Sequence, residues 1–175
     1  MIVRNAVLFK WSLYGLAAGL CIVLQEMLFQ RLRIWGVMPF LYPLLAVIPA
    51  TYEGPEFGTA FAIAVGVVCD SLLPGHIPCF YTLTMPLSAW IAGLFSRDLF
   101  PAGVLCSYVA AAGAFALHGL ARCFFLWAAG RAAWSAGAWV AVRELAVTIP
   151  WSVPPVTLLF RAVADRVEYV ELRNG

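Results

Sequence analysis

The chain has 175 residues, of which 63% are hydrophobic and 11% charged, and its formal net charge is +2. Soluble domains carry about 25% charged residues, because their surface must face water. The composition therefore excludes a water-soluble globular class, and the small net charge leaves no basic surface for nucleic acid. A mean hydropathy of +0.90 agrees with an integral membrane protein.

A helix needs about 20 apolar residues to cross a hydrocarbon core of about 30 Å. In chain order, the apolar runs predict an all-α bundle of about six spans, at 9–28, 34–51, 57–73, 79–96, 102–127 and 140–161. All belong to one integral membrane domain, residues 1–175. The connections are short and carry charges, Pro or Gly: Gln30-Arg31-Leu32-Arg33, Glu53-Gly54-Pro55-Glu56, Pro74-Gly75-His76-Ile77-Pro78 and Arg97-Asp98-Leu99-Phe100-Pro101. Gly130 to Trp139 reads as an interfacial helix, and Arg161 to Gly175 as a short solvated tail. Should the third and fourth runs form a single re-entrant hairpin, the count falls to five.

The first run is long enough to stay in the membrane, and no small-residue cleavage site ends it. With an even number of spans both termini share a side, together with Arg4, Lys10, Arg97, Arg161, Arg166 and Arg173. Arg31, Arg33, Arg122, Arg131 and Arg143 fall on the other. This narrow excess predicts cytoplasmic termini. Lys10 reads as a snorkelling anchor of the first span.

The third run is the most informative. Gly54-Pro55 supplies a turn, and Pro suits the first turn of a helix because its missing N–H has no partner there. Gly58, Ala62, Gly66 and Asp70 then recur every four residues, a stripe that lets another helix approach closely in lipid. The fifth run repeats the pattern with Ala110, Ala114, His118 and Arg122. Glu26, Asp70, His118 and Arg122 lie toward the same end of their helices, and Arg143 and Glu144 begin the sixth run there. A polar cluster is expected at that end, with Asp70 pairing with Arg122 or His118. Intramembrane ionisable residues usually have a partner and often a role. Structural pairing is the first expectation here, a protein contact the second, and a ligand or ion site the third.

No catalytic or metal-binding constellation is evident. His76 and His118 lack metal-ligand spacing, no serine lies in Gly-x-Ser-x-Gly, and no two cysteines form Cys-x-x-Cys. No active site, metal or cofactor is expected. An intramembrane transferase using Asp70, Glu144 and Arg122 is the weakest alternative.

The chain resembles the rod shape-determining protein MreD family. Gly36-Val37-Met38-Pro39, Glu53-Gly54-Pro55-Glu56-Phe57-Gly58, Gly66-x-x-x-Asp70 and Gly75 carry the likeness through their order and spacing. Phe40 departs from it, where the family pattern has an acidic or amide residue after Pro39. The resemblance implies a non-enzymatic scaffold in the machinery of cell-wall elongation. Its partners would be membrane lipid and an MreC-like single-pass protein, and through that protein MreB, RodA and a class B penicillin-binding protein. It also implies a fold similar to the S components of energy-coupling factor transporters. An S component that binds a vitamin or metal ion is the alternative function.

Overall fold

The structure, a computed structural model, describes residues 2–73, 77–131 and 134–174, with side chains for residues 8–167 of that set. The described residues are helical except for short connections: α1 (Ile2–Met27), α2 (Tyr42–Leu72), α3 (Phe80–Asp98), α4 (Val104–Ala128) and α5 (Trp134–Asn174). Four of these, α1, α2, α4 and α5, are long and apolar enough to cross a membrane. Gly75 and His76 lie outside the described residues.

The expected second and third runs share α2, and Glu53-Gly54-Pro55-Glu56 is a sharp bend within it, not a loop. Gly54 has φ 83° and ψ 176°, a conformation open essentially to glycine alone. The chain reverses there. A Cβ built on Gly58 would overlap the Cβ of Ala50, although eight residues along a straight helix span about 12 Å. The two arms of α2, residues 42–53 and 55–72, thus lie back to back at the bend.

The first arm is the centre of the molecule. Every residue from Tyr42 to Thr51 is buried, including Leu44, Leu45, Val47 and Ile48. A helix that is apolar all round belongs in a core, because it has no polar face to offer water. At about 1.5 Å per residue this arm is only about 18 Å long, short of a full crossing.

The helix starts at Tyr42, later than the expected span at 34–51, because residues 28–41 take another form. A 3-10 turn at Phe29–Arg31 leads into a tight hairpin in which Ile34 and Val37 exchange backbone hydrogen bonds of 2.9 and 3.1 Å. Trp35 and Gly36 occupy its tip with φ 53° and 78°, as a two-residue turn of this hand requires.

The small-residue stripe faces inward, with Gly58, Ala62 and Gly66 buried. Its neighbours differ from expectation. A Cβ on Gly66 would stand 2.8 Å from the Tyr81 carbonyl oxygen and 2.9 Å from Thr82 Cα, so this glycine lets α3 approach backbone to backbone. A Cβ on Gly93 of α3 would likewise stand 2.6 Å from Pro55 Cα, at the bend. The stripe's closest partners are therefore α3 and the preceding arm, whereas α4 was expected.

α5 takes in residues 134–139 of the expected interfacial segment and residues 161–174 of the expected solvated tail. It is 41 residues long, about 60 Å at helical rise, roughly twice the hydrocarbon thickness. Its prolines, Pro150, Pro154 and Pro155, sit in the middle. Between Val156 and Asn174 there is no Gly or Pro to stop it, and Arg161 and Asp165 add an i,i+4 ion pair at 4.0 Å.

Candidate functional site: the polar end of the bundle

The C-terminal ends of α1, α2 and α4 meet the N-terminal ends of α3 and α5, and the expected polar residues lie at this end as separate groupings. Asp70 is the clearest case. Its carboxylate accepts the backbone N–H of Tyr81 at 3.0 Å, the N–H of Thr82 at 2.8 Å and the Thr82 hydroxyl at 2.6 Å. The first N–H groups of a helix have no partner within it, so Asp70 caps α3 from the neighbouring helix. This corrects the expected Asp70 pairing with Arg122 or His118. The close approach at Gly66, one turn earlier, brings the start of α3 within reach of the carboxylate.

Arg122 donates to Glu144 instead, at 3.1 Å, joining α4 to α5. Arg143 stands one residue from Glu144 and stacks over Trp139 at 5.0 Å. Glu26 accepts the Tyr42 hydroxyl at 2.5 Å and a hydrogen bond from Gln30. His118 is buried, with Nδ1 2.7 Å from the Ala114 carbonyl oxygen. Among the described residues no three His, Cys, Asp or Glu side chains converge where a metal ion could bind.

An aromatic layer bridges these groupings. The Tyr81 ring stacks beside His118 at 6.2 Å and lies 5.9 Å from Phe40, which meets Tyr42 edge-on at 5.3 Å. Phe80 packs edge-on to His118 at 6.2 Å. Behind the layer is a cavity of about 200 Å³ bounded by Phe40, Phe80, Tyr81, Phe115 and His118, with Arg122 and Glu144 at its polar side. Small residues of α4 and α5 form another wall: a Cβ on Gly119 would come within 2.8 Å of Ala141 Cβ.

Three residues that sequence reasoning passed over hold this end together. Gln25 is buried, and its amide donates to the Pro39 carbonyl at 3.0 Å while accepting the Leu41 N–H at 2.9 Å. Thr148 of α5 accepts the N–H of Phe40 at 3.0 Å. Tyr81 joins Asp70 to His118. The signal for Gln25 was present as an amide inside an otherwise apolar run, a group able to donate and accept at once. In lipid, irregular backbone is tolerated only where protein groups satisfy it, and Gln25 and Thr148 do so for residues 39–41.

The opposite end has its own polar knot. Glu53, beside the bend, accepts the Tyr14 hydroxyl at 2.8 Å and forms an ion pair with Lys10. Lys10 also lies over the Phe57 ring at 5.1 Å, so it is more than the snorkelling anchor expected. Comparison with family profiles, with characterised proteins and with solved structures gives no match.

Proposed function

We propose that this chain is a non-enzymatic membrane scaffold of the MreD kind, serving bacterial cell-wall elongation. In this reading it crosses the plasma membrane six times, with cytoplasmic termini. The reversal at Gly54 supports counting the expected second and third runs as two antiparallel arms, the first of them shorter than a full crossing. A six-helix architecture similar to the S components of energy-coupling factor transporters is part of the same proposal.

The observation that carries the reading is how the motif residues are used. Glu53 binds Lys10 and Tyr14, Gly58 and Gly66 admit neighbouring backbones, and Asp70 caps α3. Each serves architecture. What remains for interaction is the apolar outside of the helices. On α1, Leu16 is 73% and Met27 68% exposed. A single-pass, MreC-like partner fits such a surface, since helices associate in lipid by packing. MreB, RodA and a class B penicillin-binding protein would join through that partner.

The S-component reading keeps one observation in its favour, the cavity beside His118. Depletion in the native cell separates the two. The scaffold reading expects rods to widen and round up, and the chain to co-purify with a single-pass partner. Unchanged width with loss of uptake of one vitamin or metal ion would reject it for the S component.

A further inference from the structure

Among the described residues at the His118 end, every carboxylate is engaged within the fold. Glu26 accepts from Tyr42 and Gln30, Asp70 caps α3, and Glu144 holds Arg122. Arg31, Arg33, Arg131 and Arg143 lie at the same end and form no ion pair among the described residues. Of these four, Arg143 borders a cavity. Trp139, Val142, Arg143 and Ala146 recur at i, i+3, i+4 and i+7, which puts them on one face of α5. With Trp35, from the hairpin between α1 and α2, they line an open groove of about 420 Å³. The groove is accessible, since Trp35 is 72%, Trp139 58% and Val142 56% exposed. Side chains of a helix tilt toward its N-terminus, and the Arg143 guanidinium reaches back over the Trp139 ring, 5.0 Å from its centre. It thus stands at the outer level of the groove, with Ala146 one turn deeper along α5.

We propose that this groove seats an anionic membrane phospholipid, its phosphate on Arg143 and an acyl chain against Val142 and Ala146. Trp collects at the membrane–water interface, the level of the lipid headgroups. Arg presents its N–H donors in a planar fork that matches phosphate oxygens. The surplus of positive charge at this end favours a headgroup of net negative charge over a zwitterionic one. An acidic protein segment would meet the same cation. The apolar floor continuing inward from that cation favours a ligand with a hydrocarbon tail instead. The proposal does not rest on the scaffold reading.

The test titrates the purified full chain in detergent with phosphatidylglycerol or phosphatidylcholine of the same acyl chains, and counts bound lipid by native mass spectrometry. Phosphatidylglycerol is expected to bind about fivefold or more tightly. Arg143→Gln should remove most of that preference, whereas Arg97→Gln, at the opposite end of the bundle, should leave it intact. Ala146→Trp fills the groove without changing charge, and should weaken phosphatidylglycerol binding about threefold or more. That variant separates a seated lipid from attraction to a diffuse positive surface. Ala146 and Arg143 are both outside the core, and should one variant fail to fold the other still decides. Equal binding of the two lipids would overturn the proposal, and so would a preference that survives Arg143→Gln or Ala146→Trp. Displacement of the lipid by glycerol phosphate as readily as by phosphatidylglycerol would also overturn it, since the anion alone would then suffice. A glutamate-rich peptide that bound through Arg143 more tightly than phosphatidylglycerol would assign the groove to a protein partner and overturn it likewise. No scaffold partner or cell phenotype enters this test, so its failure leaves the scaffold reading standing, and loss of that reading leaves this one.

Discussion

At the Gly54 end of the bundle, the chain turns from one helical arm to the next through a single non-helical residue. At the His118 end, the connection from α1 to α2 takes residues 28–41 and includes a 3-10 turn and a hairpin. The difference shows in how polar side chains are used. At the short turn few backbone groups lose helical partners, so Lys10, Glu53 and Tyr14 bind one another and Ser96 adds a bond to the Thr51 carbonyl. At the long connection Gln25 and Thr148 bind backbone, and Asp70 does the same for the start of α3. Hydrocarbon offers backbone no hydrogen bonds, so irregular chain near it draws side chains inward. Packing is incomplete toward both ends: a cavity of about 200 Å³ lies beside His118, and one of about 140 Å³ lies between the C-terminal half of α3 and the start of α4.

This contrast breaks first at Gln25. Gln25→Leu should destabilise the chain by about 2–4 kcal/mol, because it strands a buried donor and a buried acceptor in residues 39–41. Unfolding in mixed micelles measures it, and a loss below about 1 kcal/mol would mean that the connection is held by other contacts. Next, Gly54→Ala should cost about 1–3 kcal/mol in the same assay, since φ 83° with ψ 176° strains any residue bearing a Cβ. A neutral result would show that the bend can relax.

Lys10→Met should cost about 1–2 kcal/mol, less than a fully buried ion pair, because the two side chains are 19% and 15% exposed. Adding Glu53→Gln should recover part of the loss, and an additive double variant would contradict the pairing. The smallest effect belongs to Arg122→Gln. Its side chain is 52% exposed, so its bond to Glu144 should be worth no more than about 0.5 kcal/mol. A larger loss would make the His118 end resemble the Gly54 end, with a charge pair carrying its stability.

Much of the helical layout was legible because lipid imposes it. Long apolar runs announced α4 close to its observed limits and α1 close to its end, though α1 starts at Ile2 and not at residue 9, and the punctuation at Arg97-Asp98 marked the end of α3. The placement of Glu26, Asp70, His118 and Arg122 toward one end was also readable, since it follows from the direction of each run. Their partners were not. Asp70 and Arg122 carry opposite charges, and sequence alone favours joining them. In the fold, the nearby N-terminus of α3 offers Asp70 three donors, and Glu144 lies closer to Arg122. Backbone donors have no sequence signature, so this competition could not be judged beforehand.

Composition and apolar run length by themselves determined that this protein is helical and belongs in a membrane, because both follow from the free energy of placing side chains and backbone in hydrocarbon. Gly54-Pro55 and the Gly58–Asp70 spacing likewise marked where close packing would occur. Only the tertiary structure decided which surfaces pack there, that residues 42–51 form a buried axis, and that α5 runs on to Asn174. It alone buried His118 Nε2 without a partner. Those outcomes depend on which groups come within about 3 Å of each other, a quantity that residue type and spacing along one chain do not contain.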